Sequence, residues 1–199
     1  MKKILYASIM AAAYVIGAAP LQATFIGSQV TATVDSPTLG NARSVSVTQT
    51  VGTGVEFPSG TLELLSSGVP SGVFIIGVNI DVGASTIDLH YTTGATATSA
   101  TFNGYVFDFD SSSPIITGVS LDALSTFTPG QVPLGFGPHE VPINVEGLNF
   151  TSSSRILVDI NTAGVSSVPE PNSYGLMLTG LGVLGFAMWR QAGLRFLRR

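Results

Sequence analysis

Asp108 and Asp110 stand two residues apart in the run Phe107-Asp108-Phe109-Asp110-Ser111. On an extended chain that spacing puts both carboxyl groups on one face, about 6 to 7 Å apart. Two acids at such a distance across a cleft are what glycosidase chemistry requires. The same oxygens, helped by carbonyls and water, would also suit Ca²⁺, a hard cation. No glycine-spaced calcium loop surrounds them. The plainest account is a solvated strand end whose charge resists edge-to-edge aggregation. Ca²⁺ is the one cofactor the body could take by this reading.

Other chemistry has fewer footholds. A serine hydrolase needs its nucleophile on a sharp turn with a histidine near it. Serines are abundant, but there is no Gly-x-Ser-x-Gly, and the only histidines are His90 and His139. His90 alternates onto the polar side of a strand between Leu89 and Tyr91. His139, beside Glu140 in a proline-rich stretch, is the more exposed to chemistry but has no assembled partner. Gly52-Thr53-Gly54 reads as a turn, since neither a lysine nor a helix follows it. With no cysteine anywhere, disulfides, thiolate nucleophiles and Cys-ligated metals are excluded. Phe127 and Phe136, in loops, could stack on sugars. The expectation is a non-enzymatic body. A carbohydrate-binding module, with or without Ca²⁺, is the alternative, and a glycan-active enzyme stands third.

The elements that must position these residues have a period of two. Val30, Ala32 and Val34 alternate with threonines; Ile76, Val78, Ile80 and Val82 alternate with polar residues, as do Ile87, Leu89 and Tyr91. The pattern recurs at Tyr105, Phe107 and Phe109, at Val141, Ile143 and Val145, and at Ile156, Val158 and Ile160. Alternation of this kind marks half-buried antiparallel strands. Residues 44–50 and 115–121 are further candidates. Turn clusters separate them, such as Ser66-Ser67-Gly68-Val69-Pro70-Ser71-Gly72 and Thr128-Pro129-Gly130. Eight to ten short strands at such spacing predict an all-β, antiparallel β-sandwich of jelly-roll type. Residues 131–142, carrying Pro133, Pro138 and Pro142, are expected to form a long loop across the end of the sandwich.

The two ends of the chain differ from this body. Lys2 and Lys3, an apolar stretch over 4–19 and the small residues before Ala23 have the pattern of a secretory signal peptide over 1–23, cleaved after Ala23. The ectodomain is expected over 24–161, with a linker of small residues over 162–168. Then come Pro169, Glu170 and Pro171, which no helix can enter from its N-terminal side, and a charge-free apolar run to Trp189. A short transmembrane helix is predicted over about 173–195, ending in Arg190, Arg195, Arg198 and Arg199. By the positive-inside bias these arginines stay in the cytoplasm and the body lies outside. Charge follows the same division: residues 24–168 hold eleven acids against Arg43 and Arg155, a net of −9 behind the overall −4. So acidic a surface disfavours nucleic acid as a partner.

This tripartite tail of Pro-Glu-Pro, apolar helix and basic stop, 169–199, resembles the PEP-CTERM sorting signal of many Gram-negative envelope proteins. The resemblance implies an exosortase-like membrane protease as partner, a membrane anchor through the C-terminal helix before processing, and a final place at the cell surface or beyond it. By the same resemblance such proteins accompany exopolysaccharide, biofilm or other extracellular matrix. Gly54-Val55-Glu56-Phe57, the run from Phe102 to Phe107 and the run from Ile116 to Leu121 are similar to ectodomains that recur among these proteins. That second likeness implies no catalytic or ligand residue.

Overall fold

The computed structural model describes residues 23–163 and 180–181. Eleven strands form: β1 Gln29–Asp35, β2 Val47–Thr50, β3 Val55–Phe57, β4 Val78–Val82, β5 Thr86–Tyr91, β6 Ala95–Thr96, β7 Gly104–Phe109, β8 Ile116–Leu121, β9 Glu140–Asn144, β10 Asn149–Phe150 and β11 Arg155–Thr162. No helix occurs between Ala23 and Ala163. All strand pairs are antiparallel, in a four-stranded sheet of order β2-β1-β7-β9, a five-stranded sheet of order β3-β4-β5-β11-β8 and a small β10-β6 ribbon. After the β3-β4-β5 meander the chain passes back and forth between the two large sheets.

The period of two explains the packing. Val30, Ala32 and Val34 of β1 and Tyr105, Phe107 and Phe109 of β7 turn inward, against Ile80, Ile87, Leu89, Ile156 and Val158 of the other sheet. One core results, and the two sheets close on it as a sandwich. Within it the Tyr91 ring stacks on Phe150 with centroids 3.8 Å apart. Gln22–Gly164 is a compact unit. With no disulfide available, this burial is the main source of its stability.

Three strands escape the periodic signal because they are two or three residues long: β3, β6 and β10. The proline-rich stretch needs a correction. It is a loop only to His139, since Pro142 lies within β9, in register with Val106 of β7. A proline is tolerated there because β9 is the edge of its sheet. The loop then folds back over that edge: Gly135 N–H donates to Pro142 O, Asn144 N–H to Pro133 O and Gly137 N–H to Glu140 O. An edge strand that would invite pairing is thereby covered by its own chain.

A bulge in the β3–β4 pair has a consequence for charge. Val55 pairs with Asp81 but Phe57 with Ile80, so β3 carries one extra residue, Glu56. The bulge turns Glu56 inward, where it is buried. Its Oε1 accepts from Gly52 N–H and its Oε2 from Val82 N–H, both at 2.7 Å.

Candidate functional site

The sequence singles out Asp108 and Asp110 as a pair, and the structure separates their roles. Asp108 is on β7, facing out of the sheet; Asp110 lies just beyond the strand end. Asp110 Oδ2 accepts from Gln29 N–H at 2.6 Å, while Oδ1 accepts from Ser112 N–H, the Ser112 hydroxyl and the Ser113 hydroxyl. Those donors, the Ser112 hydroxyl foremost, pull its pKa down to about 2. The carboxylate is thus committed to holding a turn against the start of β1.

Asp108 finds its acidic neighbour elsewhere. It is directly in register with Glu140 of β9, so the two carboxyl groups stand side by side on the outer face. Burial raises the pKa of each; the charge of Asp35 adds to the effect on Asp108, and the charges of Asp108 and Asp35 to that on Glu140. Among the described residues no group of three or more His, Asp or Glu side chains is placed to hold a metal.

The histidines also part. His90 is exposed on the outer face of β5, in register with Asn79 and Arg155. His139 ends the covering loop, where its carbonyl accepts from Phe109 N–H and its Nδ1 is buried without a partner among the described residues. Phe127, expected from the sequence to be a loop aromatic free to stack on sugars, instead packs edge-on against Phe150 with centroids 5.4 Å apart and belongs to the margin of the core. Phe136 remains exposed.

At the opposite end of the four-stranded sheet lies a cleft of about 360 Å³ that no contiguous motif announces. It opens where β1 ends, β7 begins and the segments 72–76 and 96–100 converge. Buried Val34, Ala97, Tyr105 and Val145 form its floor, and Phe74, 69% exposed, stands at its rim. Ser36, Thr98, Ser99 and Arg43 also line it, and no acid does.

The wall of this cleft is firmly held. Arg43 N–H donates to Val34 O at 2.7 Å and Arg43 O accepts from Ser66 N–H at 2.8 Å. The buried Ser44 hydroxyl takes the N–H of Val34, and Ser66 Oγ donates to Ser44 O. Across the cleft, Asn103 Nδ2 donates to Thr98 O, and Asn103 N–H donates to Asn144 Oδ1. Gly104 lets β7 approach β9 here, because a Cβ on it would overlap the Ile143 carbonyl. Two signals in the sequence could have pointed here: Arg43 is one of two cations in a body of eleven acids, and Val73-Phe74-Ile75-Ile76 breaks the period of two.

The described molecule is thus an all-β, sandwich-like body that precedes a separate C-terminal segment. Residues 167–191 of that segment match the family model of the PEP-CTERM protein-sorting motif. The chain carries a PEP-CTERM sorting motif, which implies export, exosortase-dependent processing at the membrane and passage toward the cell surface. The match takes in Pro169, Glu170, Pro171 and Arg190; Arg195, Arg198 and Arg199 lie beyond it. No curated protein and no solved structure is detectably similar to the chain.

Of the signal peptide expected over 1–23, residues 1–22 lie outside the described residues, as do residues 164–168 of the expected linker, the Pro-Glu-Pro motif and the four tail arginines. Of the helix expected over about 173–195, Gly180 and Leu181 are described, and both have helical backbone. Among the described residues no helix is long and apolar enough to cross a membrane. Ala23, where signal cleavage is expected, lies against the body: its carbonyl accepts from the Thr162 hydroxyl at 3.4 Å.

Proposed function

We propose that this chain is a non-enzymatic protein of the cell envelope or extracellular matrix. A signal peptide over 1–23 exports the acidic β-sandwich. The C-terminal helix then anchors it until an exosortase-like protease processes the tail near Pro169, Glu170 and Pro171, leaving the sandwich as cargo at the cell surface, in association with exopolysaccharide or biofilm. The observation that carries this reading is the PEP-CTERM match over 167–191, directly after a body that ends its last strand at Thr162. The charge distribution supports the same direction of export, since six of the eight basic residues lie in the terminal segments and four of them in the last ten residues.

The test replaces Pro169, Glu170 and Pro171 by alanine in the native host and follows mass and location. The expected result is a full-length protein retained in the membrane, while the wild-type chain loses its tail and reaches the surface. Normal trimming and surface display of the alanine variant would refute the reading.

A further inference from the structure

The cleft at the Arg43 end of the sandwich has a composition at odds with the rest of the surface. The body carries eleven acids, yet no acid lines this cleft, and one of only two body cations does. The other cation, Arg155, is engaged by Asp88 in the one ion pair among the described residues, so Arg43 has no carboxylate partner there. The hydroxyls of Ser36, Thr98 and Ser99 make no hydrogen bond among the described residues. An exposed phenyl ring stands beside them at Phe74.

We propose that this cleft binds a hexuronate residue of an acidic polysaccharide, with the Arg43 guanidinium on the sugar carboxylate and the Phe74 ring against the pyranose face. The ratio of groups selects the ligand. One cation with several hydroxyls and an aromatic rim matches one carboxylate with several hydroxyls and an apolar ring face. A neutral sugar would give the guanidinium no counter-charge, and an acidic peptide would bring several carboxylates and no hydroxyls. The planar fork of arginine matches a carboxylate with two parallel hydrogen bonds, where lysine offers a point charge. The body's net charge of −9 repels a polyanion in bulk, so binding has to be local to this cleft and sensitive to salt. The inference concerns the sandwich and does not rest on the sorting reading.

The experiment is calorimetric titration of the full chain, purified in detergent, with oligogalacturonate and oligomannuronate. Methyl-esterified oligogalacturonate, a neutral maltooligosaccharide and oligoglutamate serve as comparison ligands. At least one free uronate oligomer binds, and its methyl ester and the neutral sugar do not. Arg43→Gln weakens binding about tenfold or more, Arg43→Lys recovers part of the loss, and Phe74→Ala weakens it about fivefold without lowering thermal stability, since that ring is mostly exposed. Arg155→Gln removes the same unit of charge and leaves affinity within about twofold. The proposal is overturned if neither uronate binds the folded chain, if the ester or oligoglutamate binds as well as the acid, or if Arg155→Gln costs as much affinity as Arg43→Gln. Should Arg43→Gln fail to fold, Phe74→Ala and Arg43→Lys decide the matter through the same titration.

Discussion

Arg155 grips Asp88 across the β11–β5 pair with both arms of its guanidinium: Nε donates to Oδ1 and Nη2 to Oδ2, each at 2.8 Å. The grip is diagonal, because in register Arg155 faces His90 while Asp88 faces Leu157 on one side and Asp81 on the other. Two aspartates therefore oppose each other on adjacent strands, and Arg155 offsets their repulsion. Burial first, then the charges of Glu56 and Asp88, raises the pKa of Asp81.

This arrangement predicts an asymmetry between the partners of the ion pair. Both side chains are partly exposed, so solvent screens the pair and its worth is about 1 kcal/mol. Arg155→Gln destabilises by about that amount, since Asp88 is left facing Asp81. Asp88→Asn costs less, because it removes the like-charge opposition along with the ion pair. Urea unfolding of both single variants and the double variant measures the coupling. Equal losses for the two single changes would contradict the cross-strand account.

Glu56 offers a sharper case. Its two oxygens each take a backbone N–H, one from Gly52 in the turn before β3 and one from Val82 of β4, and the side chain is buried. Glu56→Ala leaves the Gly52 and Val82 N–H groups without that acceptor, the first half-buried and the second buried, and is expected to cost about 2 to 3 kcal/mol. Glu56→Gln keeps one acceptor but sets an amide NH₂ against the other N–H, so it fails to restore wild-type stability. Chemical denaturation reads both, and a Gln variant as stable as wild type would show that only one of the two bonds matters.

Acidification should move stability in two directions. Asp81, Asp108, Glu140 and Asp159 all have raised pKa values, with burial as the first cause in each. A carboxyl group with a raised folded-state pKa is costly to ionise in the fold, so protonation at pH just above the ordinary carboxylate values of 3.8 and 4.5 favours the folded state. Asp110 runs the other way: its contribution is present above 3.8 and is lost as pH falls toward about 2. The melting temperature therefore rises as pH is lowered from neutrality toward the carboxylate range and falls below it. Asp110→Asn should flatten the acid limb, and a monotonic fall from pH 7 downward would refute the scheme.

Calcium is the last test. Ser112, Ser113 and Gln29 occupy both oxygens of Asp110, and Asp108 is aligned with Glu140 instead. A site filled to 100 times its dissociation constant would add about 2.7 kcal/mol to stability. Melting in millimolar Ca²⁺ and in EDTA is expected to give the same temperature. A rise in Ca²⁺ that Asp108→Asn abolishes would support a metal site there instead.

Much of this protein was legible along the chain because the signals are local. A strand buried on one face writes its period of two into consecutive residues, and β1, β4, β5, β7, β9 and β11 appear where Val30, Ile80, Leu89, Phe107, Ile143 and Val158 alternate with polar neighbours. The sorting motif is likewise contiguous, and the match over 167–191 falls on the Pro-Glu-Pro and the apolar run. Charge is additive, so the acidic body and the basic ends needed no coordinates. Partnership is different. Whether Asp108 acts with Asp110 or with Glu140 depends on register between strands, and register joins residues far apart, as Gln29 and Asp110 are joined across 81 positions. Short strands such as β6 and β10 have no period to show, and they form because tertiary pairing holds them. The Arg43 cleft gathers pieces from six separate stretches of chain, each unremarkable alone. Sequence determined the strands, the address and the charge; only the folded chain decided which residues became neighbours, because proximity across a sandwich is a property of long-range packing and not of spacing along the backbone.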